Sequence, residues 1–149
     1  MKITYASVIA FSNLKPAQIS QISDLLRELS PQRPFVPEQL STAIMFGSLC
    51  IAVDEDPSNK IIGMGLLLFR HTATHSSGLI EDVVVSPAYR GKGIGKGIMN
   101  YLIAKARGFP RHLDALELSS RPSRIEANAL YRALGFELRD TNCYRLKLH

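Results

Sequence analysis

Three β-branched residues, Val83-Val84-Val85, give way after Ser86-Pro87-Ala88-Tyr89 to Arg90-Gly91-Lys92-Gly93-Ile94-Gly95-Lys96-Gly97, in which every second residue is glycine. The pattern reads as strand, tight loop and helix start. Glycines at alternate positions let backbone N–H groups reach a ligand with no Cβ in the way, and a helix beginning there aims its positive end at the same point. That chemistry suits a phosphate-bearing ligand. Just upstream stand two adjacent carboxylates, Glu81 and Asp82. Strand periodicity turns them to opposite faces, Glu81 sharing its face with Val83 and Val85, so one of the two is expected to reach a reaction centre as a proton acceptor.

Several Gly-rich loops hold phosphates, and elimination narrows the choice. The dinucleotide fingerprint G-x-G-x-x-G fails from Gly91, where Lys96 takes the last glycine position, and from Gly93, where Ile98 does. The nucleotide loop G-x-x-x-x-G-K-[ST] fails because no Lys-Ser or Lys-Thr follows these glycines. Arg90-x-x-Gly93-x-Gly95 fits a different pattern. It resembles the diphosphate-binding R/Q-x-x-G-x-G/A signature of the GNAT family of N-acetyltransferases, in the strand-then-helix context that family requires. Downstream, Ala127-Asn128-Ala129-Leu130-Tyr131-Arg132-Ala133-Leu134-Gly135-Phe136 resembles the family's A-x-x-L-Y-x-x-x-G-F block. The likeness covers residues 80 to 148 closely and the N-terminal half loosely. Many family members carry Asn seven residues before the Tyr. Arg124 stands there and the nearest amide is Asn128, so the contact to the pantetheine arm lies open between them.

The resemblance implies a single domain over residues 1–149, an α+β (α/β/α) sandwich. Its mixed, mostly antiparallel sheet would have six to seven strands flanked by about four helices. It also implies acetyl-CoA as co-substrate. Arg90 and the backbone of Gly91, Lys92, Gly93, Ile94, Gly95 and Lys96 would bind the diphosphate, and Arg124 and Asn128 would approach the cofactor. The edge of the strand at Val83, Val84 and Val85 would pair with the peptide-like pantetheine arm, leaving one N–H for the thioester oxygen. Tyr131 would protonate the departing thiolate. Glu81 is the leading base for an ammonium substrate, because an acid at this place resembles several small-amine acetyltransferases; Asp82 is the alternative, with a relayed water behind both. In the family the first two helices and their loop wall the acceptor site, which makes Arg33 and Phe35 candidates for substrate contact. The expected activity is transfer of acetyl to a primary amine of a small molecule, by direct attack in a ternary complex. A peptide or protein amine is the second acceptor class, and a CoA-binding sensor without turnover is the competing reading.

Composition agrees with one domain. The chain has 149 residues, 46% hydrophobic and 21% charged, with no apolar run long enough to span a bilayer and no secretion-type leader, so a cytoplasmic location is expected. Cys50 and Cys143 both lie in apolar strand-like runs and read as small core residues rather than a disulfide. Four histidines without a ligand-spaced cluster give no metal site. The net charge of +5 is scattered except around the glycine loop, where Arg90, Lys92 and Lys96 suit a compact polyanion better than a nucleic acid.

The elements that must position these groups follow from periodicity. Residues 2 to 10 alternate as a strand. Pro16 opens a helix with Ile19, Ile22, Leu25, Leu26 and Leu29 at helical spacing, ended by Ser30-Pro31, and a shorter helix runs from Pro37 to Met45. Ser48 to Val53 and Ile61 to Phe69 form a hairpin across Asp54 to Lys60. The loop His71 to Ser77 leads into a strand from Gly78 to Val85, its His71 and His75 being weaker base candidates. After the glycine loop, Ile94, Ile98, Leu102 and Ala106 make one buried stripe. Ala115 to Leu118 is a short strand, Ser123 caps a helix to Leu134, and Phe136 to Arg139 with Tyr144 to Leu148 are two closing strands. Thr141 to His149 could also pair a homodimer.

Overall fold

The computed structural model describes all 149 residues. They divide into two compact units, Met1–Ser119 and Ser120–His149.

In the first unit a five-stranded sheet runs in the order β1 (Ile3–Val8), β2 (Gly47–Asp54), β3 (Lys60–His71), β4 (Ser76–Val85), β5 (Ala115–Leu118). The first three pairings are antiparallel, and β4 with β5 is parallel. Neighbouring strands joined by short turns pair antiparallel, whereas the parallel β4–β5 step needs the crossover helix α3 (Ile94–Arg107).

Two helices precede β2: α1 (Pro16–Leu29) and α2 (Pro37–Phe46), each with proline in the first turn, where no N–H is needed. Their apolar stripes, Ile22 and Leu25 from α1 and Leu40 and Ile44 from α2, pack with Leu49, Ile51, Met64, Leu66 and Val84 of the sheet into one core. Because side chains alternate, the neighbours of these strand residues face the other way, toward α3. There β3 carries Gly63 and Gly65, and a Cβ at either would come within 2.9 Å of Ile98. Glycine at both positions lets α3 settle onto the strand. The predicted α3 stripe is buried, with Met99 added.

In the second unit α4 spans Ile125–Ala133, with Arg124 as N-cap rather than the expected Ser123, whose contribution is a backbone carbonyl bonded to the Ile125 N–H. Gly135 follows at φ 94°, and the Phe136 N–H returns to the Tyr131 carbonyl at 3.0 Å, closing the helix end as expected.

The sheet has five strands, not the six to seven expected. Phe136 to Arg139 and Tyr144 to Leu148 form no ladder, and Leu138, Tyr144, Leu146 and Leu148 are 79–92% exposed. Alternation makes a segment fit to be a strand, but the strand exists only where a second one accepts its hydrogen bonds. Cys143 lies on this exposed segment instead of in a core. Cys50 is the buried one, and burial pushes its thiol up to about 12. No helix is long and apolar enough to cross a membrane.

Candidate active site

The glycine loop folds as its composition requires. Gly91 has φ 73° and Gly93 φ 79°, left-handed values that a side-chain-bearing residue rarely takes, and a Cβ added at either would meet nothing within 4 Å. Gly93 is the N-cap of α3 and no side chain caps the helix. Its first internal bond runs from the Gly97 N–H to the Gly93 carbonyl, which leaves the N–H groups of Ile94, Gly95 and Lys96 without intrahelical partners. This cradle of free donors at the positive end of a fourteen-residue helix fits a diphosphate.

The nearby cations are exposed and tethered to protein. The Arg90 Nε donates to the Val85 carbonyl at 3.0 Å, and its Nη2 stands 3.8 Å from Glu28. The Lys92 Nζ donates to the Ala88 carbonyl at 3.3 Å and lies over the Tyr89 ring. Lys96 is exposed.

The strand leading into this loop is open along one edge. Pairing of β4 with β5 ends at Ile80 opposite Leu118, while pairing with β3 continues to Val85 opposite Gly63. From Glu81 to Val85 the β5-facing edge therefore has no strand beside it. Val84 is buried in the core, and Val83 and Val85 are half-buried.

A bulge alters what period two predicted for the carboxylates. Leu66 pairs with Glu81 and Met64 with Val84, so Asp82 and Val83 together oppose Gly65 alone. Asp82 takes up the extra residue at φ 51°, a conformation Asp and Asn tolerate better than most. Glu81 and Asp82 then line the same cavity, of about 330 Å³, with Leu26 and Leu29 of α1, Arg33 and Phe35 of the connector, Leu40 of α2, and Leu66 and Leu68 of β3. Glu81, Asp82, Arg33 and Phe35 are thus brought together. Walls from the first two helices agree with what the resemblance implied, though it named none of their leucines; Leu26 and Leu29 were legible only as part of a buried helical stripe, and Leu66 and Leu68 only as part of a strand. His71 and His75 bond to Ser76 and Thr72 within the β3–β4 turn.

Both carboxylates touch solvent on one side while the cavity walls displace it on the other. This partial desolvation raises the pKa of Glu81, and the charge of Asp82 raises it further. Desolvation also raises Asp82, with Arg33 opposing. A carboxyl whose folded pKa lies above its unfolded value adds stability that is complete below the unfolded pKa and is lost as pH rises through the folded one. Asp82→Asn, which keeps the left-handed backbone, should therefore raise the Tm by about 1–3 °C at pH 7.5. The gain should shrink to nothing as pH falls toward 4; an equal gain at both pH values would show that charge is not its source.

In the second unit Arg124, Asn128 and Tyr131 share one face of α4. Both Asn128 Nδ2 contacts are local, to the carbonyls of Arg121 and Arg124 at 2.9 Å each, so its amide donor is engaged by its own loop. Tyr131 is half-buried, its ring edge-on to Phe136 at 6.2 Å. Burial raises its pKa and Arg124 opposes the rise.

An open strand edge followed by a glycine-lined helix N-terminus presents a row of backbone donors and acceptors that ends in uncapped N–H groups. The sequence profile of the acetyltransferase (GNAT) family matches residues 19–136, and the chain belongs to that family. It is 29% identical over 141 residues to the aminoglycoside N(6')-acetyltransferase type 1 of Stenotrophomonas maltophilia, covering 89% of this chain and 88% of the relative. It is 27% identical over 108 residues to glucosamine 6-phosphate N-acetyltransferase 1 of Oryza sativa subsp. japonica, a match to 64% of this chain and 66% of that one. A match to the Trypanosoma brucei brucei glucosamine 6-phosphate N-acetyltransferase, 38% identical, spans 47% of that protein and 42% of this chain. Among solved structures, the glucosamine-6-phosphate N-acetyltransferase from Arabidopsis thaliana superposes with TM-score 0.77 at 17% identity, over 98% of this chain and 99% of that one. At that identity the likeness is one of fold.

Proposed function

We propose that this chain is an acetyl-CoA-dependent N-acetyltransferase acting on the primary amine of a small molecule, by direct attack while both substrates are bound. One observation carries the reading: a single strand, β4, bears the two carboxylates of the cavity at its bulge and leads on to the glycine loop, so donor and acceptor would meet along the edge from Glu81 to Val85. The small-amine names of the relatives support the acceptor class.

The free N–H groups of Ile94, Gly95 and Lys96, with Arg90 released from Glu28, would hold the diphosphate of the co-substrate. The open β4 edge would take the pantetheine arm as an added strand and direct one N–H at the thioester oxygen, where charge develops during attack. Glu81 would accept a proton from the substrate ammonium, its raised pKa bringing a carboxylate nearer the operating range. The freed amine nitrogen bonds to the acetyl carbon and gives up its second surplus proton to water, the carbon–sulfur bond breaks with its electron pair on sulfur, and the thiolate takes the Tyr131 phenolic proton. Glu81 and Tyr131 then exchange protons with water, so each turnover yields amide, free thiol and one proton.

Free-thiol release from acetyl-CoA across a panel of amines tests this directly. Turnover should rise with pH through the Glu81 ionisation, and Asp82→Asn should move that limb to lower pH by removing the neighbouring charge. Acetyl-CoA binding without thiol release from any amine would instead leave a sensor.

A further inference from the structure

The cavity beside Glu81 and Asp82 has an uneven lining. Leu26, Leu29, Phe35, Leu40, Leu66 and Leu68 make one apolar side of it, continuous with the hydrophobic core between α1, α2 and the sheet. Ser30 and Gln39 are its uncharged polar side chains, and Arg33, Glu81 and Asp82 its charged ones.

From this lining we infer that the preferred acceptor is a primary amine with an apolar body, an alkyl- or arylalkylamine carrying one positive charge, rather than a polyhydroxylated or phosphorylated aminosugar. The inference deepens the acetyltransferase reading and rests on it for the word acceptor. Two physical arguments carry it. A hydroxyl set against the leucine and phenylalanine side of this cavity finds no side-chain partner there, and a buried hydroxyl without one is costly, whereas each methylene in the same place gains. Charge selects further. One guanidinium against two carboxylates leaves the lining with a formal charge of −1, which matches a single ammonium and neither a polycation nor a phosphate. Arg33 faces Asp82. Arg27, the other cation of the adjoining cavity lined by Ser23, Pro31 and Phe35, is bonded to Asp24 at 3.2 Å. Arg27 is thus paired with a carboxylate of its own helix, and the charge of Arg33 acts on Asp82.

The test uses the full chain, acetyl-CoA and four kinds of amine: the straight alkylamines from ethyl to hexyl, 2-phenylethylamine, glucosamine 6-phosphate and an aminoglycoside. The value of kcat/KM should climb about threefold to fivefold per methylene along the alkyl series. 2-Phenylethylamine should exceed either sugar by about 100-fold or more. Phe35→Ala should cost about tenfold in kcat/KM for 2-phenylethylamine through KM, with Phe35→Leu restoring most of it. Calorimetric binding of hexylamine and of glucosamine 6-phosphate, without acetyl-CoA, reports on the cavity independently of turnover. A flat alkyl series with a preferred sugar would overturn the inference and leave the acetyltransferase standing. If no amine releases thiol, the acetyltransferase reading falls, and sugar binding in place of hexylamine binding would overturn the cavity assignment as well.

Discussion

Gly93→Val should weaken coenzyme A binding by about 100-fold or more, the loss of roughly 2.7 kcal/mol that such a ratio represents. Two effects combine at this position. The native φ of 79° is one that a β-branched residue resists, so the loop would leave the conformation that presents its N–H groups. The added Cβ would also stand in space that holds no protein atom within 4 Å, which is the space the cradle offers to a ligand. Because the Cβ meets no protein atom, backbone strain is the main cost to folding, a Tm loss of about 2–8 °C. Calorimetry with coenzyme A well below the Tm separates the two effects. Binding at wild-type strength would take the loop out of the cofactor site and the functional proposal with it.

What the sequence revealed and what it hid follow from the range of the interactions. The loop from Arg90 to Gly97 was legible because its conformation is dictated locally, by glycines that favour the left-handed turn at Gly91 and Gly93 and by the helix that begins there. The stripes of α1 and α3 were legible for the same reason. The bulge at Asp82 was not, since it is a mismatch between β4 and β3, and nothing in the β4 sequence says how many residues the partner strand will present. That one hidden residue turned a choice between Glu81 and Asp82 into a pair on one cavity. The cavity walls were read as core because leucines at helical spacing look alike whether they meet a strand or border a void. The closing strands were overread: Tyr144, Leu146 and Leu148 alternate as a strand should, yet alternation carries no information about a partner. Cys143 went astray with them.

The bulge also explains why two carboxylates can be kept so close to a hydrophobic core. Both are partly desolvated, Asp82 adds to the cost of ionising Glu81, and Arg33 offsets part of the cost for Asp82. The strain and the desolvation are both unfavourable for folding, and they coincide at one strand position beside a cavity. Such a coincidence is expected where a site is held ready for a ligand rather than where a core is merely packed.

Tyr131→Phe should lower kcat by about 100-fold to 1,000-fold, the span of a lost proton donor, while the KM for acetyl-CoA changes by about twofold or less. The substitution removes one oxygen and keeps the ring, so the edge-on contact with Phe136 that steadies the end of α4 survives. Its pH signature separates a chemical role from a packing role. An ordinary phenol has a pKa of about 10 and a thiol about 8.5. Burial raises Tyr131 further, which keeps its proton in place through the neutral range and puts loss of activity on the alkaline side, where the phenol ionises. Wild-type turnover should therefore fall at high pH, and in the phenylalanine variant that limb should disappear because the residue has no proton to lose. A residue that only packs would change stability and leave the alkaline limb in place. Wild-type kcat in the variant, with the limb unchanged, would assign the proton to water and leave the β4 N–H and Glu81 as the chemical apparatus of the site.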